Sequence, residues 1–298
     1  MIPDLPPRPD ISHKGDYGRA LLIGGSRGMA GAVGMAGISC LKSGAGLVRI
    51  AAPVESQPIV ASYSPCYTTI PVPQNEKGLM TFDAKEELSE IARESTAIGL
   101  GPGLGQSDDL VEFVSWAYSR IGAPMVVDAD ALNCLAKNPR ILMKPGGPRI
   151  LTPHQGELRR LLDDKYSSAE ELLYRTESLA REAGTIFVFK GHRSIITNGE
   201  ERAQNATGNS GMATGGSGDV LTGIIVGLLC QKTDPFDAAK LGCLIHGLAG
   251  DKAAKRLGKI SLIATDIIDY IPNAIRSIQR KLHREKKEAA SDSVDAKE

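Results

Sequence analysis

Short apolar runs alternate with longer amphipathic stretches along most of the chain. Each run ends at a Gly, Pro or Asp turn, and apolar residues then recur at the spacing of a helix. The clearest runs are residues 19–23, 96–100, 125–127, 149–151 and 185–189. Because these runs are almost continuously apolar, they predict the strands of a mostly parallel sheet that is covered by helices on both faces. The predicted fold class is therefore α/β.

Helical spacing accompanies these runs. We predict helices at residues 30–42, 109–119, 130–136, 156–162, 168–182, 219–230 and 235–256. The last two are apolar on nearly every side, so both are expected to be buried. Ligands of open α/β sheets bind beyond the carboxyl ends of the strands, so the turns between strands and helices are the places where chemistry is expected.

Composition and charge narrow the class of protein. The 298 residues include 35 Lys and Arg and 35 Asp and Glu, a balance unlike that of a basic nucleic-acid-binding protein or an acidic disordered tail. Glycine is the unusual component, because 33 of the 298 residues are glycine, about 11% against the usual ~7%. Aromatic residues make up only 4%. The excess of glycine indicates sites where backbone, rather than aromatic rings, meets a ligand.

Cysteines and terminal segments bear on location and domain organisation. The five cysteines are widely spaced without a CxxC pair, which favours a reducing compartment over a disulfide framework or a zinc site. The first residues lack a signal-peptide pattern, and no apolar stretch approaches the ~20 residues that span a membrane. We expect a cytoplasmic protein with an N-terminal extension at 1–9, one domain at 10–282 and a charged, disordered tail at 283–298.

The strongest candidate site is the glycine-rich segment 208–219, which leads directly into an apolar helix. Its glycines allow backbone to approach a ligand closely, and the first N–H groups of the helix favour an anion. Asp219 lies in the first turn, where its carboxylate could take a proton from a nucleophilic hydroxyl. The alternative is a flexible linker in which Ser217 caps the helix and the negative charge of Asp219 interacts favourably with the helix dipole. A P-loop is excluded, because GxxxxGK[ST] is absent from the sequence.

Two further glycine turns follow predicted strands. Residues 24–28 contain the Gly-x-Ser-x-Gly pattern of an α/β-hydrolase, with Asp219 and His246 in the order that completes a triad around Ser26. Against a hydrolase, too few residues precede Ser26 to form the strands that normally come first. Taken alone, His246 fits a hydrogen-bonded core histidine. Residues 99–105 have glycine at every second position, which misses the Rossmann spacing and predicts either a dinucleotide contact or a tight connection.

Polar side chains also gather at predicted strand ends. Asp128 closes one strand, and Asp130 is expected to cap the helix that follows. His154 and Glu157 are three residues apart, as in a shared metal site, but two ligands without a third predict no metal site built by protein side chains. Lys190 ends another strand, where it could reach a nucleotide phosphate or be an ordinary exposed lysine.

Seven segments occur in an order that is specific as a set. They are Ser12-His13-Lys14-Gly15-Asp16-Tyr17-Gly18, residues 24–32, residues 101–105, residues 127–133, Thr152-Pro153-His154 with Gly156-Glu157, Lys190-Gly191 and residues 209–219. Together they resemble the ADP/ATP-dependent NAD(P)H-hydrate dehydratases over roughly residues 10–282. The resemblance implies a ribokinase-like three-layer α/β/α sandwich with a mostly parallel central sheet.

The resemblance also implies an activity, which is repair of NADH or NADPH hydrated on the nicotinamide ring. ADP or ATP would phosphorylate the ring hydroxyl of the S-epimer, and loss of phosphate would restore the cofactor. Mg²⁺ is implied as the counter-ion of the phosphates. A homo-oligomer, by resemblance a tetramer, and a separate NAD(P)H-hydrate epimerase are the implied partners, and we expect no nucleic-acid or membrane partner.

The site residues of the family map onto matching positions of this chain. Those assigned to the hydrated cofactor are Ala32, Gly103, His154 and Asp219, of which Asp219 is the catalytic base. Those assigned to the nucleotide are Lys190, Gly191, His192, Arg193, Ser194, Gly215, Gly216, Ser217 and Gly218. One position departs from the family, because Gln155 stands where proline is usual, which loosens that turn without removing the histidine.

Other functions remain open from the sequence. Hydroxyethylthiazole kinase and pyridoxal-type kinases share the fold, a glycine-rich anion hole and a base aspartate, although segments 24–32 and 152–157 favour the dehydratase. A nucleotide-binding sensor without turnover is an alternative of another class. The presence of Asp219 argues against a sensor.

Overall fold

The computed structural model describes residues 2–164 and 167–295. Within these residues, nine strands form a single sheet. The strands are β1 (Arg19–Ile23), β2 (Leu47–Pro53), β3 (Thr68–Val72), β4 (Ala97–Leu100), β5 (Met125–Val127), β6 (Arg149–Leu151), β7 (Ile186–Phe189), β8 (Ile195–Thr197) and β9 (Arg202–Gln204).

Ten α-helices lie in the same described ranges. They are α1 (Ala30–Lys42), α2 (Gln57–Ser62), α3 (Ala84–Glu94), α4 (Asp108–Arg120), α5 (Ala129–Lys137), α6 (Gln155–Leu161), α7 (Ala169–Ala183), α8 (Ser217–Cys230), α9 (Pro235–Leu257) and α10 (Ala264–Asp295). Every residue of α8 from 220 to 230 is buried, as its apolar sequence predicts.

The sheet has the order β3-β2-β1-β4-β5-β6-β7-β8-β9. Strands β1 to β7 are parallel, whereas β8 and β9 continue the sheet as antiparallel strands. The strand order reverses between β1 and β4, so the loops that follow these two strands diverge there and leave a crevice at the carboxyl edge. This edge carries the polar segments that the sequence singled out.

The core lies in two layers because successive residues of a strand point to opposite faces. In β1, Leu22 packs with residues of α1, α8, α9 and α10, whereas Leu21 and Ile23 pack with residues of α3 to α7. All three side chains are fully buried, and each such burial stabilises the fold by roughly 1.5–3 kcal/mol. The predicted three-layer α/β/α sandwich is therefore confirmed.

Several predicted bounds agree with the structure. The strands at 19–23, 125–127 and 149–151 and the helix at 30–42 begin and end where the sequence places them. Strands β2, β3, β8 and β9 were not predicted. β3 is an edge strand that contains proline, and β8 and β9 have three residues each, so none of these three presents a continuous apolar run.

The N-terminal residues of the described chain lie against the layer formed by α1, α8, α9 and α10. Ile2 and Leu5 pack on its buried residues, and the Arg8 guanidinium lies 3.8 Å from the centre of the Tyr17 ring. α10 continues to Asp295, into the segment for which the sequence predicts disorder. Residues 1 and 296–298 lie outside the described residues, and the division at 9 and 282 stays a prediction. Over the described ranges, no helix is long and apolar enough to cross a membrane.

Candidate active site

Charged side chains from several elements meet at the carboxyl edge of the sheet. Asp128 directly follows β5, Lys190 directly follows β7, Glu157 lies in α6 after β6, and Asp219 lies in the first turn of α8. The Lys190 Nζ atom is 2.6 Å from Asp128 Oδ1 and 3.8 Å from Glu157 Oε2. We call Asp128, Glu157, Lys190 and Asp219 the charged cluster. Parallel topology explains its assembly, because the carboxyl ends of β5, β6 and β7 are adjacent.

Lys190 is the cation of the charged cluster. Burial alone would lower the pKa of its ammonium group, but the carboxylates of Asp128 and Glu157 outweigh burial and the pKa is raised. Asp128 is 1% exposed, and its second oxygen accepts a hydrogen bond from Thr222 Oγ1 at 2.8 Å. Lys190 therefore stays charged, and the Asp128 side chain binds Lys190 and Thr222 instead of capping α5.

Asp219 differs from the other carboxylates of the cluster. Within residues 2–164 and 167–295, no group donates a hydrogen bond to its carboxylate. Burial and then the negative charge of Asp128 raise the pKa of Asp219 to about 7, although Lys190 acts in the opposite direction. A carboxyl group with this pKa exchanges protons readily at neutral pH, which suits a general base.

Unpaired backbone N–H groups lie beside Asp219. Helix α8 begins at Ser217, directly after Gly216 in the left-handed conformation with φ 89°. The N–H groups of Gly218 and Asp219 make no hydrogen bond to the described part of the chain. Unpaired N–H groups at a helix N-terminus favour an anion, so they form a candidate anion site. The linker alternative predicts that Ser217 caps α8. That prediction is wrong, because Ser217 lies inside the helix and Gly216 occupies the cap position.

A cavity of about 590 Å³ opens beside the start of α8, and we call it the nucleotide cavity after the ligand that the sequence predicts for its lining residues. Its volume is in the range of small-molecule sites. The predicted nucleotide residues that line it are Lys190, Gly191, His192, Arg193, Ser194, Ser217 and Gly218. Gly215 and Gly216 do not line it. Gly215 is exposed, whereas Gly216 makes the turn into α8, where a Cβ would lie 2.4 Å from Met35 Cε.

Other residues of the cavity wall were missed in the sequence. Asn205 and Thr207 line the cavity but belong to no recognised motif. The backbone N–H of Gly208 and the Nδ2 atom of Asn209 each donate to the Asp251 carboxylate at 2.9 Å. Asp251 in α9 thereby holds the wall formed by the segment before α8. The sequence did offer one signal for Asp251, which is a carboxylate within a helix predicted to be buried. A buried carboxylate needs a hydrogen-bond or ion partner.

His154 caps α6. Its Nδ1 atom accepts hydrogen bonds from the N–H groups of Gly156 at 2.9 Å and Glu157 at 3.2 Å, and Glu157 Oε2 accepts one from the His154 N–H at 2.8 Å. This capping box fixes the imidazole ring, whose side chain is 53% exposed. Burial and then the charges of Lys190 and Arg160 lower the pKa of His154, so the ring is neutral at pH 7. In the described ranges, no cluster of three or more His, Cys, Asp or Glu residues could hold a metal.

The loops after β1 and β4 meet in the crevice. The N–H of Gly25 donates to the Pro102 carbonyl at 3.0 Å, and that of Ser26 donates to the Gly103 carbonyl at 2.7 Å. Gly103 has φ 61°, and a Cβ at this residue would lie 3.1 Å from the Cβ of Ala32. Two of the residues predicted for the hydrated cofactor are therefore neighbours. Neither lines the nucleotide cavity.

The hydrolase alternative has no support in the geometry. Ser26 is fully buried, and its Oγ donates to the Gly103 carbonyl at 2.9 Å, whereas a nucleophile elbow exposes its serine. His246 Nε2 lies 3.3 Å from the Oγ of Ser217 instead. Burial lowers the pKa of His246 to about 4, so the ring is neutral. His246 is hydrogen-bonded, as predicted, but it lines the nucleotide cavity.

The prediction that Asp130 caps α5 is wrong. The backbone at Ala129 has φ 51°, and Asp130 lies inside the helix. Its Oδ2 atom accepts a hydrogen bond from the Gly105 N–H at 2.9 Å, and its Oδ1 atom lies 3.5 Å from Asn133 Nδ2. Asp130 thus ties the loop after β4 to α5.

The chain is similar to known proteins over most of its length. The model of the NAD(P)H-hydrate dehydratase family matches residues 20–273. The chain is 41% identical over 280 residues to the bifunctional NAD(P)H-hydrate repair enzyme Nnr of Moorella thermoacetica, which covers 93% of this chain and 53% of that protein. The chain therefore spans about half the length of the curated relatives it matches.

Solved structures show the same architecture. The ADP/ATP-dependent NAD(P)H-hydrate dehydratase from Bacillus subtilis, co-crystallized with ATP/Mg²⁺, has a TM-score of 0.73 and 30% identity, covering 92% of this chain and 94% of that chain. A hydroxyethylthiazole kinase protein from Pyrococcus horikoshii has a TM-score of 0.58 and 17% identity, covering 88% and 92%. At that identity the likeness shows the fold alone, so the kinase alternative has less support than the dehydratase.

Proposed function

Because the chain belongs to the NAD(P)H-hydrate dehydratase family, we propose that it dehydrates the S-epimer of hydrated NADH or NADPH, with ADP or ATP as co-substrate. Asp219 carries this proposal. Its carboxyl group has a pKa of about 7, lacks a hydrogen-bond partner among the described residues and lies beside unpaired N–H groups. A base next to an anion site is what phosphorylation of a hydroxyl requires.

The first step is transfer of a phosphoryl group to the ring hydroxyl of the hydrate. Asp219 accepts the hydroxyl proton while the hydroxyl oxygen bonds to the terminal phosphorus of the nucleotide. The bond from that phosphorus to the bridging oxygen breaks, so ATP leaves as ADP, or ADP leaves as AMP. The N–H groups of Gly218 and Asp219 stabilise negative charge on the transferred group.

The second step is loss of phosphate from the ring. Phosphate is a much better leaving group than hydroxide, so phosphorylation makes the dehydration feasible. The lone pair of the ring nitrogen expels phosphate by breaking the bond between carbon and oxygen, and the neighbouring ring carbon then loses a proton. The ring double bond is restored, which returns NADH or NADPH.

Lys190 supports the first step by its position. Its ammonium group lies 3.3 Å from where a Cβ of Gly218 would be, so a positive charge lies next to the anion site. Asp128 and Glu157 hold the ammonium there. In a partly buried site, such a fixed charge stabilises a phosphoryl group more strongly than a mobile surface lysine does.

The two substrates are assigned to different walls of the site. The nucleotide occupies the nucleotide cavity, where residues 190–194, Ser217 and Gly218 contact it. The hydrated cofactor lies against Ala32 and Gly103 in the crevice and against the exposed ring of His154. Asp219 is the group that both substrates reach.

Mg²⁺ is proposed as the counter-ion of the nucleotide phosphates. This ion usually takes one or two carboxylates together with phosphate oxygens and water, rather than a cage made by the protein. Asp128 and Glu157 supply carboxylates, but both face Lys190. The residues therefore fit an ion held mainly by phosphates and water, which would neutralise phosphate charge when bound.

The matched stretch accounts for dehydration, whereas the curated relatives are named bifunctional repair enzymes. We assign epimerisation of the R-hydrate to an NAD(P)H-hydrate epimerase unit other than residues 20–273. That this epimerase is a separate protein stays a prediction, as do the tetramer and the cytoplasmic location.

The test is recovery of the reduced nicotinamide. Purified protein with Mg²⁺, hydrated NADH and either ADP or ATP is expected to restore the absorbance of NADH, with release of phosphate. The Asp219→Asn variant should lose turnover by about 10³-fold, because removal of a general base costs 10²–10⁴-fold, and should still bind nucleotide. Retained turnover would remove the base role from Asp219.

A second arm separates the dehydratase from the kinase alternative. A thiazole alcohol or a pyridoxal-type alcohol replaces the hydrated cofactor, and transfer of phosphate to it is measured. We expect no stable phosphorylated product. Phosphorylation of the alcohol without recovery of NADH would assign the chain to a small-molecule kinase.

A further inference from the structure

A second cavity, of about 790 Å³, is lined mainly by residues of α5 and α6, and we call it the basic cavity. Its lining residues lie in the segments after β4, β5 and β6, whereas those of the nucleotide cavity lie after β7 and β9 and in α8 and α9. Gly156, two residues after His154, belongs to the wall of the basic cavity. The proposed function therefore leaves a cavity of substrate size that the nucleotide does not occupy.

Hydrogen bonds connect this cavity to the proposed substrate loop. Arg160 Nε donates to Asn133 Oδ1 at 2.8 Å, and Asn133 lies 3.5 Å from the Asp130 carboxylate. Asp130 in turn accepts the Gly105 N–H at 2.9 Å, two residues after Gly103. The loop that carries Gly103 and the wall that carries Arg160 are therefore one connected unit.

The basic cavity has cations that carboxylates do not neutralise. Lys137 and Arg160 line it, both are exposed, and neither has a carboxylate within ion-pair distance in the described part of the chain. Asp164, by contrast, pairs with Arg175 and lies 3.8 Å from Arg159 Nη1. The remaining lining carboxylate is that of residue 163, so positive charge predominates.

We propose that Lys137 and Arg160 bind the 2′-phosphate of hydrated NADPH and so favour this substrate over hydrated NADH. The inference rests on the proposed function, because it concerns the substrate of the same site. The two cofactors differ only in this phosphate, and cations that lack carboxylate partners are the groups that recognise it. The planar guanidinium of Arg160 can donate two N–H bonds to one phosphate.

The test compares two substrates in two variants. Arg160→Ala and Lys137→Ala are each expected to raise KM for hydrated NADPH by about tenfold, the size of one charge-assisted hydrogen bond, and to leave kcat unchanged. KM for hydrated NADH should stay within twofold. Lys144→Ala removes an exposed lysine outside the basic cavity and serves as the matched control.

Two further variants separate charge from structure. Arg160→Lys keeps the positive charge and is expected to recover most of the affinity for hydrated NADPH. Asp163→Asn removes the opposing carboxylate at a residue with φ 47°, a conformation that asparagine tolerates, and should lower KM for hydrated NADPH. Equal losses for both substrates in Arg160→Ala would overturn the proposal, because they would place Arg160 on a part that the substrates share.

A binding arm makes the two failures distinguishable. With a non-hydrolysable ATP analogue saturating the nucleotide cavity, 2′,5′-ADP is expected to bind more tightly than 5′-AMP, and Arg160→Ala should abolish the difference. If neither hydrated cofactor is converted by the parent protein, the proposed function fails, but this binding difference still decides the 2′-phosphate site. Equal binding of both probes to the parent protein would refute the site itself.

Discussion

Two cations, Arg149 buried and Lys190 19% exposed, lie at opposite ends of neighbouring strands, and they are stabilised in different ways. Arg149 starts β6 and is 1% exposed, and within the described part of the chain it donates only to backbone carbonyls, among them Tyr118 at 2.7 Å and Ala123 at 3.0 Å. Lys190 follows β7 and faces carboxylates. Burial lowers the pKa of Arg149 to about 10, whereas carboxylates raise the pKa of Lys190.

The difference separates a structural cation from a functional one. Arg149 satisfies carbonyls at and beyond the end of α4, so it fixes that helix to the sheet. Lys190 lines a cavity, and its partners are themselves charged and close to Asp219. A buried cation held by carbonyls serves the fold, whereas one held by carboxylates beside a cavity sets the charge of a site.

The largest expected effect is that of Lys190→Met. Removing the ammonium takes away the cation that pairs with Asp128 and Glu157 and removes positive charge from the anion site. We expect kcat to fall by about 10³-fold, comparable to the loss of an oxyanion-site donor. The pKa of Asp219 should rise above about 7, so the acid limb of the pH–rate profile should move to higher pH.

The control for this prediction separates activity from stability. Lys190→Met alone should also destabilise the protein, because a buried carboxylate loses its ion partner. The double variant Lys190→Met with Asp128→Asn is expected to regain stability in urea unfolding but not activity. Recovery of kcat in the double variant would mean that Lys190 acts only on the fold.

Arg149→Met is expected to have the opposite outcome, a loss of stability with little loss of activity. It leaves buried carbonyls without their donor, and the free energy of unfolding should fall by about 3 kcal/mol. Activity per folded molecule should stay within twofold, because Arg149 lies at the amino end of its strand. Urea unfolding and kcat on the same preparations check this. A large loss of kcat at unchanged stability would contradict the structural role.

The sequence could predict which residues lie at the carboxyl edge of the sheet better than it could predict their hydrogen-bond and ion-pair partners. Lys190 was a candidate because it directly ends an apolar strand, and Asp128 was one for the same reason. Arg149 was not singled out, because a strand that begins with arginine looks exposed there until the end of α4 covers it. Asp130 was misassigned because the cap pattern is local, whereas its partner, Gly105, comes from another loop.

The same limit applies to the two cavities. Residues 190–194 and Ser217 were predicted from the family resemblance, and they do line the nucleotide cavity. Asp251 could not be predicted, since its bonds to Gly208 and Asn209 depend on how α9 packs against a distant segment. Contacts between distant segments depend on the order of the strands and the packing of the helices. The sequence pattern says little about that order where strands are as short as β8.

The third prediction concerns Asp219, whose raised pKa affects stability as well as catalysis. In the folded protein this pKa is about 7, above the ~3.9 of an unfolded aspartate, so the contribution of Asp219 to stability is fully present below about pH 4 and is lost as pH rises through about 7. Asp219→Asn should therefore raise the free energy of unfolding by up to about 4 kcal/mol at pH 8 and by less at pH 5. Thermal unfolding at both pH values measures this, and an equal gain at both would refute the raised pKa.

The smallest expected effect is that of Thr222→Val. This variant tests how much the hydrogen bond from Thr222 to Asp128 contributes to stability and to kcat. Thr222 Oγ1 donates to Asp128 Oδ2 at 2.8 Å in a fully buried position, and valine keeps the shape but not the donor. The free energy of unfolding should fall by about 1.5 kcal/mol, and kcat should fall about threefold, because Asp128 still binds Lys190 directly. Thr176→Val is the matched control, since Thr176 is equally buried but its hydroxyl donates to the Leu172 carbonyl of its own helix. If both variants lowered kcat alike, the effect would come from stability and not from the charged cluster.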